Sequence, residues 1–343
     1  MSSDDPQTAA KLALAIPLRL GHICLEKVWG GRTLETVLGI ELDTDGPVGE
    51  SWELVDRTNE NSSVRGGPFD GRQLRDLMAT DREALMGKTA ANVDGRFPIL
   101  LKYLSATQAL SVQVHPDDLI AKKLGAGDSG KTESWFIVHA EPGSLVYLGL
   151  KSGVDMKAFS TIAGGPGIVD TLEAWPVKAG QFVHVPAGAL HAIGAGITLV
   201  EIQQNSDATY RLYDWGRLGM DGQPRETHLQ QSLLSIRYDL PIAGPADPVL
   251  ETDGGDNHRA TLVDNDYYRL DFHEVKSHVQ LDTGGLAQGL VLFEGSARLF
   301  HEHHEEPWVL EQGDTWLIPA VVGRYRIEST EGAAKFLLAY TQE

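Results

Sequence analysis

The chain of 343 residues has one cysteine, Cys24. No intrachain disulfide can form, and a thiolate metal site is excluded. A lone thiol also suits a reducing compartment. Basic residues are scarce: 29 Lys and Arg stand against 48 Asp and Glu, a formal charge of -19. So acidic a surface disfavours nucleic acid and anionic membranes as partners. Any anionic ligand would therefore need a local cluster of cations. No apolar run is long enough to span a bilayer. The best stretch, 9–20, is broken by Lys11, Pro17 and Arg19. The opening Met1-Ser2-Ser3-Asp4-Asp5 lacks the basic start of a secretory leader, so the expected location is the cytoplasm. Residues 1–12 read as a tail, and no repeat of 20–50 residues is visible.

What is present is a β-rich pattern. The length suits about two domains. Phe97–Leu104 reads as an apolar strand carrying one charge, Lys102, either at the strand end or pointing into a polar cavity. Ala109–His115 reads as a second strand whose alternate residues Ser111, Gln113 and His115 share a face. A short helix is expected over 117–124 with Pro116 at its start, and others near 74–85, 155–162 and 227–234. The loop 125–130 is rich in glycine but opens no helix, so it is no phosphate loop. Residues 241–260, rich in Pro, Gly and Asp, divide an N-terminal domain, 1–240, from a C-terminal one, 241–343.

The segment 180–217 organises the chain. Gly180, Pro186, Gly188 and His191 follow the order Gly-x5-Pro-x-Gly-x2-His: a strand, a tight turn, then an imidazole opening the next strand. This spacing resembles the second motif of the cupins, small β-barrels that carry a metal in the barrel mouth, although Ala195 stands where that motif usually has Asn. Gly313 and Pro319 repeat the Gly-x5-Pro spacing without a following His. The expected architecture is therefore mainly β, two cupin barrels of jelly-roll type with a few short helices, the second barrel degenerate. Gln113 and His115 on one strand face, Glu133 opening another strand and His191 after its turn supply an amide, two imidazoles and a carboxylate, a shell suited to zinc with an open position. Lys102, Lys131 and Arg211 nearby point to an anionic substrate, with phosphate the natural choice.

Three longer segments carry a closer resemblance: LKYLSATQALSVQVHPDD, GKTESWF and PAGALHAIGAGITLVEIQQNSDATYRLYDWGR. With Trp29-Gly30-Gly31 and Gly49-Glu50-Ser51-Trp52-Glu53, they resemble the type I mannose-6-phosphate isomerases in their short bacterial form. The resemblance covers most of the chain and weakens after about residue 240. It implies one zinc per chain bound by Gln113, His115, Glu133 and His191. It also implies active-site roles for Ser111, Lys131, Asp207 and Arg211, and Lys102 matches a Lys of the family's FPxLxK segment. Many long forms have His-Lys-Pro-Glu where this chain has Gly130-Lys131-Thr132-Glu133, and Tyr where it has Ile193. The general base therefore stays open between Lys131, its basicity expected to be depressed beside zinc, and Asp207.

The expected reaction is interconversion of mannose 6-phosphate and fructose 6-phosphate through an enediol, by a monomer or homodimer. Arg211 would stabilise negative charge or hold the phosphate, against the alternative of a salt bridge to Asp207 or Asp214. A cupin dioxygenase would use iron with similar ligands and consume oxygen, and its pocket would be apolar rather than cationic. A non-catalytic sugar-binding cupin would lack a base. His301, His303 and His304 form a tempting cluster but read as a solvated hairpin tip.

Overall fold

The structure, a computed structural model, describes residues 14–91, 95–252 and 255–343. The expected tail over residues 1–12 lies outside them. The chain is mainly β with a few short helices, and its strands pair antiparallel in four sheets.

The first pair of sheets carries the site. A six-stranded sheet runs Ile23–Gly31, Val48–Leu54, Ile99–Ala106, Ile197–Gln204, Glu133–Ala140 and Phe182–Val185. A five-stranded sheet runs Tyr210–Tyr213, Val112–Val114, His191–Ile193, Leu145–Leu150 and Leu172–Pro176. Between them lies a core of Leu104, Trp135, Ile137, Val146, Leu148, Ile193 and Leu199. The second pair joins a seven-stranded sheet, which includes Gln288–Glu294 and Ala334–Thr341, to a four-stranded one built on Ala297–His301 and Arg324–Ser329. Its core includes Leu290, Leu299, Trp316, Ile327 and Phe336.

The largest core joins the two pairs. Leu101, Tyr103, Phe136 and Val200 on the far face of the six-stranded sheet pack with Phe272, Val291, Phe293 and Leu337 of the seven-stranded sheet. The strands Ile99–Ala106 and Ile197–Gln204 thus have both faces covered, and all their residues are buried. Leu74, Leu77 and Met78 of one short helix and Leu85 of the next join the same core. The edge of the seven-stranded sheet comes from the start of the described chain, where Leu18–Arg19 pairs with Leu317 and Trp316.

Local chemistry explains where the structure departs from expectation. The strand expected over 109–115 keeps ladder geometry only at Val112–Val114, because beyond these residues only single backbone bonds reach the neighbouring segment 188–193. Leu110 N–H donates to Ile193 O, and His115 O accepts from Gly188 N–H. The helix Asp118–Leu124 is capped by Asp117, whose carboxylate accepts from Ile120 N–H at 2.8 Å, so Pro116 stands outside it. One glycine is required by close approach: a Cβ on Gly30 would lie 2.4 Å from Gly49 N. Gly188, at φ 89, makes the left-handed turn that delivers His191.

Candidate metal centre and substrate cavity

The period of two places the site. On Glu133–Ala140, Glu133 shares a face with Trp135 and Ile137. On Ile197–Gln204, Glu201 shares one with Ile197 and Leu199. On Ile99–Ala106, Lys102 shares one with Leu104 and Ala106. All these apolar partners belong to the core between the first two sheets. The same parity on the facing sheet turns Val112, Val114, Ala192 and Leu212 outward to another core and turns Gln113, His191 and Arg211 inward. One end of the sandwich is therefore apolar and the other carries the charges.

His115, Glu133 and His191 are buried, and their ligand atoms lie within 4.8 Å of one another. His115 Nε2 is 3.2 Å from Glu133 Oε2, and His191 Nε2 is 3.4 Å from Oε1. Each imidazole is oriented from behind: His115 Nδ1 donates to Ala208 O at 3.0 Å and His191 Nδ1 to Ala189 O at 2.9 Å. That fixes the tautomer and aims the Nε2 lone pairs at a common point. The Gln113 amide lies 3.2 Å from His191 Nε2, with its other end 3.3 Å from Ser111 Oγ. Rotation of the amide would present its oxygen to the same point.

Burial pushes both imidazoles down, His191 to about 3 against the pull of Glu133. They are neutral, as ligands must be. Burial opposes the charge on Glu133, but the Lys131 ammonium holds its carboxyl well below the usual range. Neither Glu133 oxygen accepts a well-directed hydrogen bond, although the Lys131 ammonium stands 2.7 Å from Oε2. A buried carboxylate with unspent lone pairs beside two converging imidazoles fits a divalent cation with nitrogen and oxygen ligands.

Above these ligands opens a cavity of about 450 Å³. Lys102, Ser111, Gln113, Lys131, Asp207 and Arg211 line it, as do Glu50, Glu201 and Arg225. Every site residue expected from the sequence is therefore at the ligand cluster or on the cavity wall. Lys102 sits mid-strand, facing the polar cavity. Its ammonium lies 3.5 Å from Glu201 and 3.8 Å from Glu50, and 4.5 Å from the centre of the Trp52 ring. Arg211 is the cross-strand neighbour of Gln113. It makes no ion pair with Asp207 or Asp214; its Nε donates to Ser111 Oγ at 3.3 Å, and Asp214 holds Arg217 and Arg225 instead.

The two candidate bases are placed unequally. Burial disfavours charge on Lys131, but Glu133 and Glu201 outweigh it and raise the ammonium above its ordinary range. The depressed basicity expected from the sequence depends on a cation beside the amine, and the protein groups alone push the other way. Asp207 is exposed at the rim, with its backbone N–H bonded to Asp128 Oδ2. The neighbouring Asn205 is structural: its buried amide donates to Asp56 O and Phe97 O.

The sequence reading missed Glu201. It is buried on the cavity wall, where burial and the charge of Glu133 raise its pKa to about 7 despite Lys131 and Lys102. A lone carboxylate in the otherwise uncharged strand ITLVEIQQ was the available signal. Glu50 differs: Lys102 and Lys27 overcome burial and lower it to about 2.

Fold and site together define a β-sandwich protein with a preformed cation-binding centre beneath a charged cavity. The family model for the phosphomannose isomerase type I catalytic domain matches residues 18–134. The chain is 32% identical to the mannose-6-phosphate isomerase of Streptococcus mutans over 92% of its own length and 96% of that protein's. It is also 32% identical to the mannose-6-phosphate isomerase ManA of Bacillus subtilis, over 91% and 96%. A crystal structure of the mannose 6-phosphate isomerase from Bacillus subtilis superposes with TM-score 0.85 at 28% identity, covering 94% of this chain and 99% of that one. The chain belongs to the type I mannose-6-phosphate isomerases, a family of aldose–ketose isomerases.

Proposed function

We propose that the protein interconverts mannose 6-phosphate and fructose 6-phosphate, with one zinc held by Gln113, His115, Glu133 and His191. The observation that carries this reading is the convergence of neutral His115 and His191 on the unspent Glu133 carboxylate, directly under a cavity walled by Lys102, Lys131 and Arg211. Bound there, zinc would polarise the sugar oxygens at C1 and C2.

The chain's own groups do the rest. A proton must leave C2 of the open-chain aldose and return to C1 of the resulting enediol. Glu201 suits that transfer, because a carboxyl poised near neutrality both takes and gives a proton. Lys131, held charged beside Glu133, and Arg211 stabilise the negative charge that develops on the sugar oxygens. Ser111, bonded to both Arg211 and Gln113, orients a sugar hydroxyl, and Lys102 holds Glu201 and the substrate in register. Asp207 at the rim contacts the entering sugar.

The same reading treats each pair of sheets as a cupin barrel, with the boundary near residue 240. The second barrel is the degenerate one, since Arg324, five residues past Pro319 as His191 is past Pro186, is a largely exposed side chain. The protein would act in the cytoplasm as a monomer or homodimer. A coupled assay for fructose 6-phosphate formed from mannose 6-phosphate, run before and after chelation, tests the function. Full turnover by metal-stripped protein would refute the metal role, and no turnover by zinc-loaded protein would refute the activity.

A further inference from the structure

We propose that Arg225 grips the substrate phosphate and sets the preference for a phosphorylated sugar over the neutral one; this rests on the sugar-phosphate reading above. The charges around the cavity are unevenly matched. On the wall nearest the metal ligands each cation has a carboxylate of its own. Lys131 stands 2.7 Å from Glu133, Lys102 lies between Glu201 and Glu50, and Lys27 is 3.4 Å from Glu50. Each of these lysines is thus already paired and has little left to offer a dianion.

On the opposite wall one carboxylate, Asp214, faces several guanidinium groups. Arg217 takes the better share, placing Nε at 3.1 Å and a terminal nitrogen at 2.7 Å from Asp214 Oδ1. Its remaining nitrogen donates to Ala109 O, so all three nitrogens are engaged. Arg225 has the poorer share: one nitrogen spread between Oδ1 and Oδ2 at 3.2 and 3.3 Å. No further hydrogen bond from its fork is found among the described residues, and Arg225 lines the cavity together with Arg211. Arg211 in turn pairs with no carboxylate among the described residues. Burial and then the nearby Arg225 lower its basicity, and an anion bound by both guanidinium groups would relieve that repulsion. Arg211 spends Nε on Ser111 Oγ and one terminal nitrogen on Glu226 O. Its other terminal nitrogen and those of Arg225 are the donors left to make charge-assisted hydrogen bonds to a tetrahedral dianion.

The local chain holds Arg225 there. Trp215, with its left-handed φ of 58, and Gly216 turn the backbone after the strand Tyr210–Tyr213. The Trp215 ring nitrogen is tied to Leu110 O at 2.7 Å. Leu218 then bridges to Pro224, closing a short loop that returns Arg225 beside Asp214.

The test compares zinc-loaded wild type, Arg225→Gln and Arg225→Lys, each checked for metal content and thermal unfolding. Arg225→Gln should raise KM for mannose 6-phosphate roughly tenfold, the scale of one lost charge-assisted contact, with kcat within about threefold. It should weaken inhibition by inorganic phosphate in step and narrow the preference for mannose 6-phosphate over mannose. Arg225→Lys, which keeps the charge without the fork, should fall between, and it decides the matter if Arg225→Gln unfolds early. An unchanged KM and phosphate inhibition constant in both variants, or a loss of kcat at constant KM, overturns the inference. Calorimetric titration of inorganic phosphate separates this from the activity itself. Phosphate binding that depends on Arg225 in a protein that fails to isomerise mannose 6-phosphate keeps the anion site and sinks the isomerase. An active enzyme indifferent to Arg225 does the reverse.

Discussion

The indole nitrogen of Trp135 donates to Glu201 Oε1 at 3.1 Å, and this buried bond favours the carboxylate against burial and the charge of Glu133. If Glu201 transfers the proton, the acid limb of kcat/KM reports its titration: activity falls as pH drops through its pKa. A cation bound at Glu133 offsets the negative charge that raises that pKa to about 7, so the zinc enzyme should show its limb at or below 7. Trp135→Phe removes a donor to the charged form and should move the limb upward by roughly one pH unit. Glu201→Gln should lower kcat by about 10²–10⁴-fold with zinc retained. A pH profile indifferent to both changes would remove Glu201 from the chemistry.

His191→Ala should abolish both zinc binding and turnover. Wild type should carry about one zinc per chain by elemental analysis, by the logic of a site with three or four protein ligands. Chelation should lower its melting temperature, because the cation stabilises only the folded state. Stoichiometric zinc in His191→Ala would show that this imidazole is not a ligand.

Arg211→Ala should lower kcat on the order of 10²-fold, more than it changes KM, because Arg211 joins the proposed ligand Gln113 through Ser111 and would face the developing charge. Arg211→Lys should fail to restore it, since an ammonium lacks the planar fork. This contrasts with the KM effect expected at Arg225. Wild-type kcat in Arg211→Ala with zinc bound would leave Lys131, Glu201 and the metal to carry the reaction.

The three C-terminal histidines should separate in a stability assay. His303 and His304 are exposed, but His301, expected at a solvated tip, is buried at a strand end with Nε2 2.9 Å from Val322 O. Changing His303 and His304 together to Gln should leave zinc content and turnover unchanged. His301→Ala should cost about 1–3 kcal/mol of stability by orphaning a buried acceptor and opening a cavity. Loss of zinc from the double variant would reveal a second metal site.

The sequence by itself determined the strand alternation, the Pro186-Gly188 turn before His191 and the four candidate ligands. Each of these is local: a period of two, a residue able to take a left-handed φ, or donors whose spacing puts them on one face. It also made the clustering of Lys102, Lys131 and Arg211 around those ligands an expectation. Tertiary structure alone decided what those groups do to one another. Lys131 reads as a candidate base beside a metal, while the folded chain sets Glu133 and Glu201 around its ammonium, and these by themselves favour its charge. Glu201 reads as an odd polar residue in a core strand until burial and Glu133 raise its pKa. Asp214 chooses Arg217 and Arg225 over Arg211 because a loop 215–225 folds back upon it. Charge interactions depend on distance and burial between residues far apart in the chain, and neither is written in the spacing of the sequence.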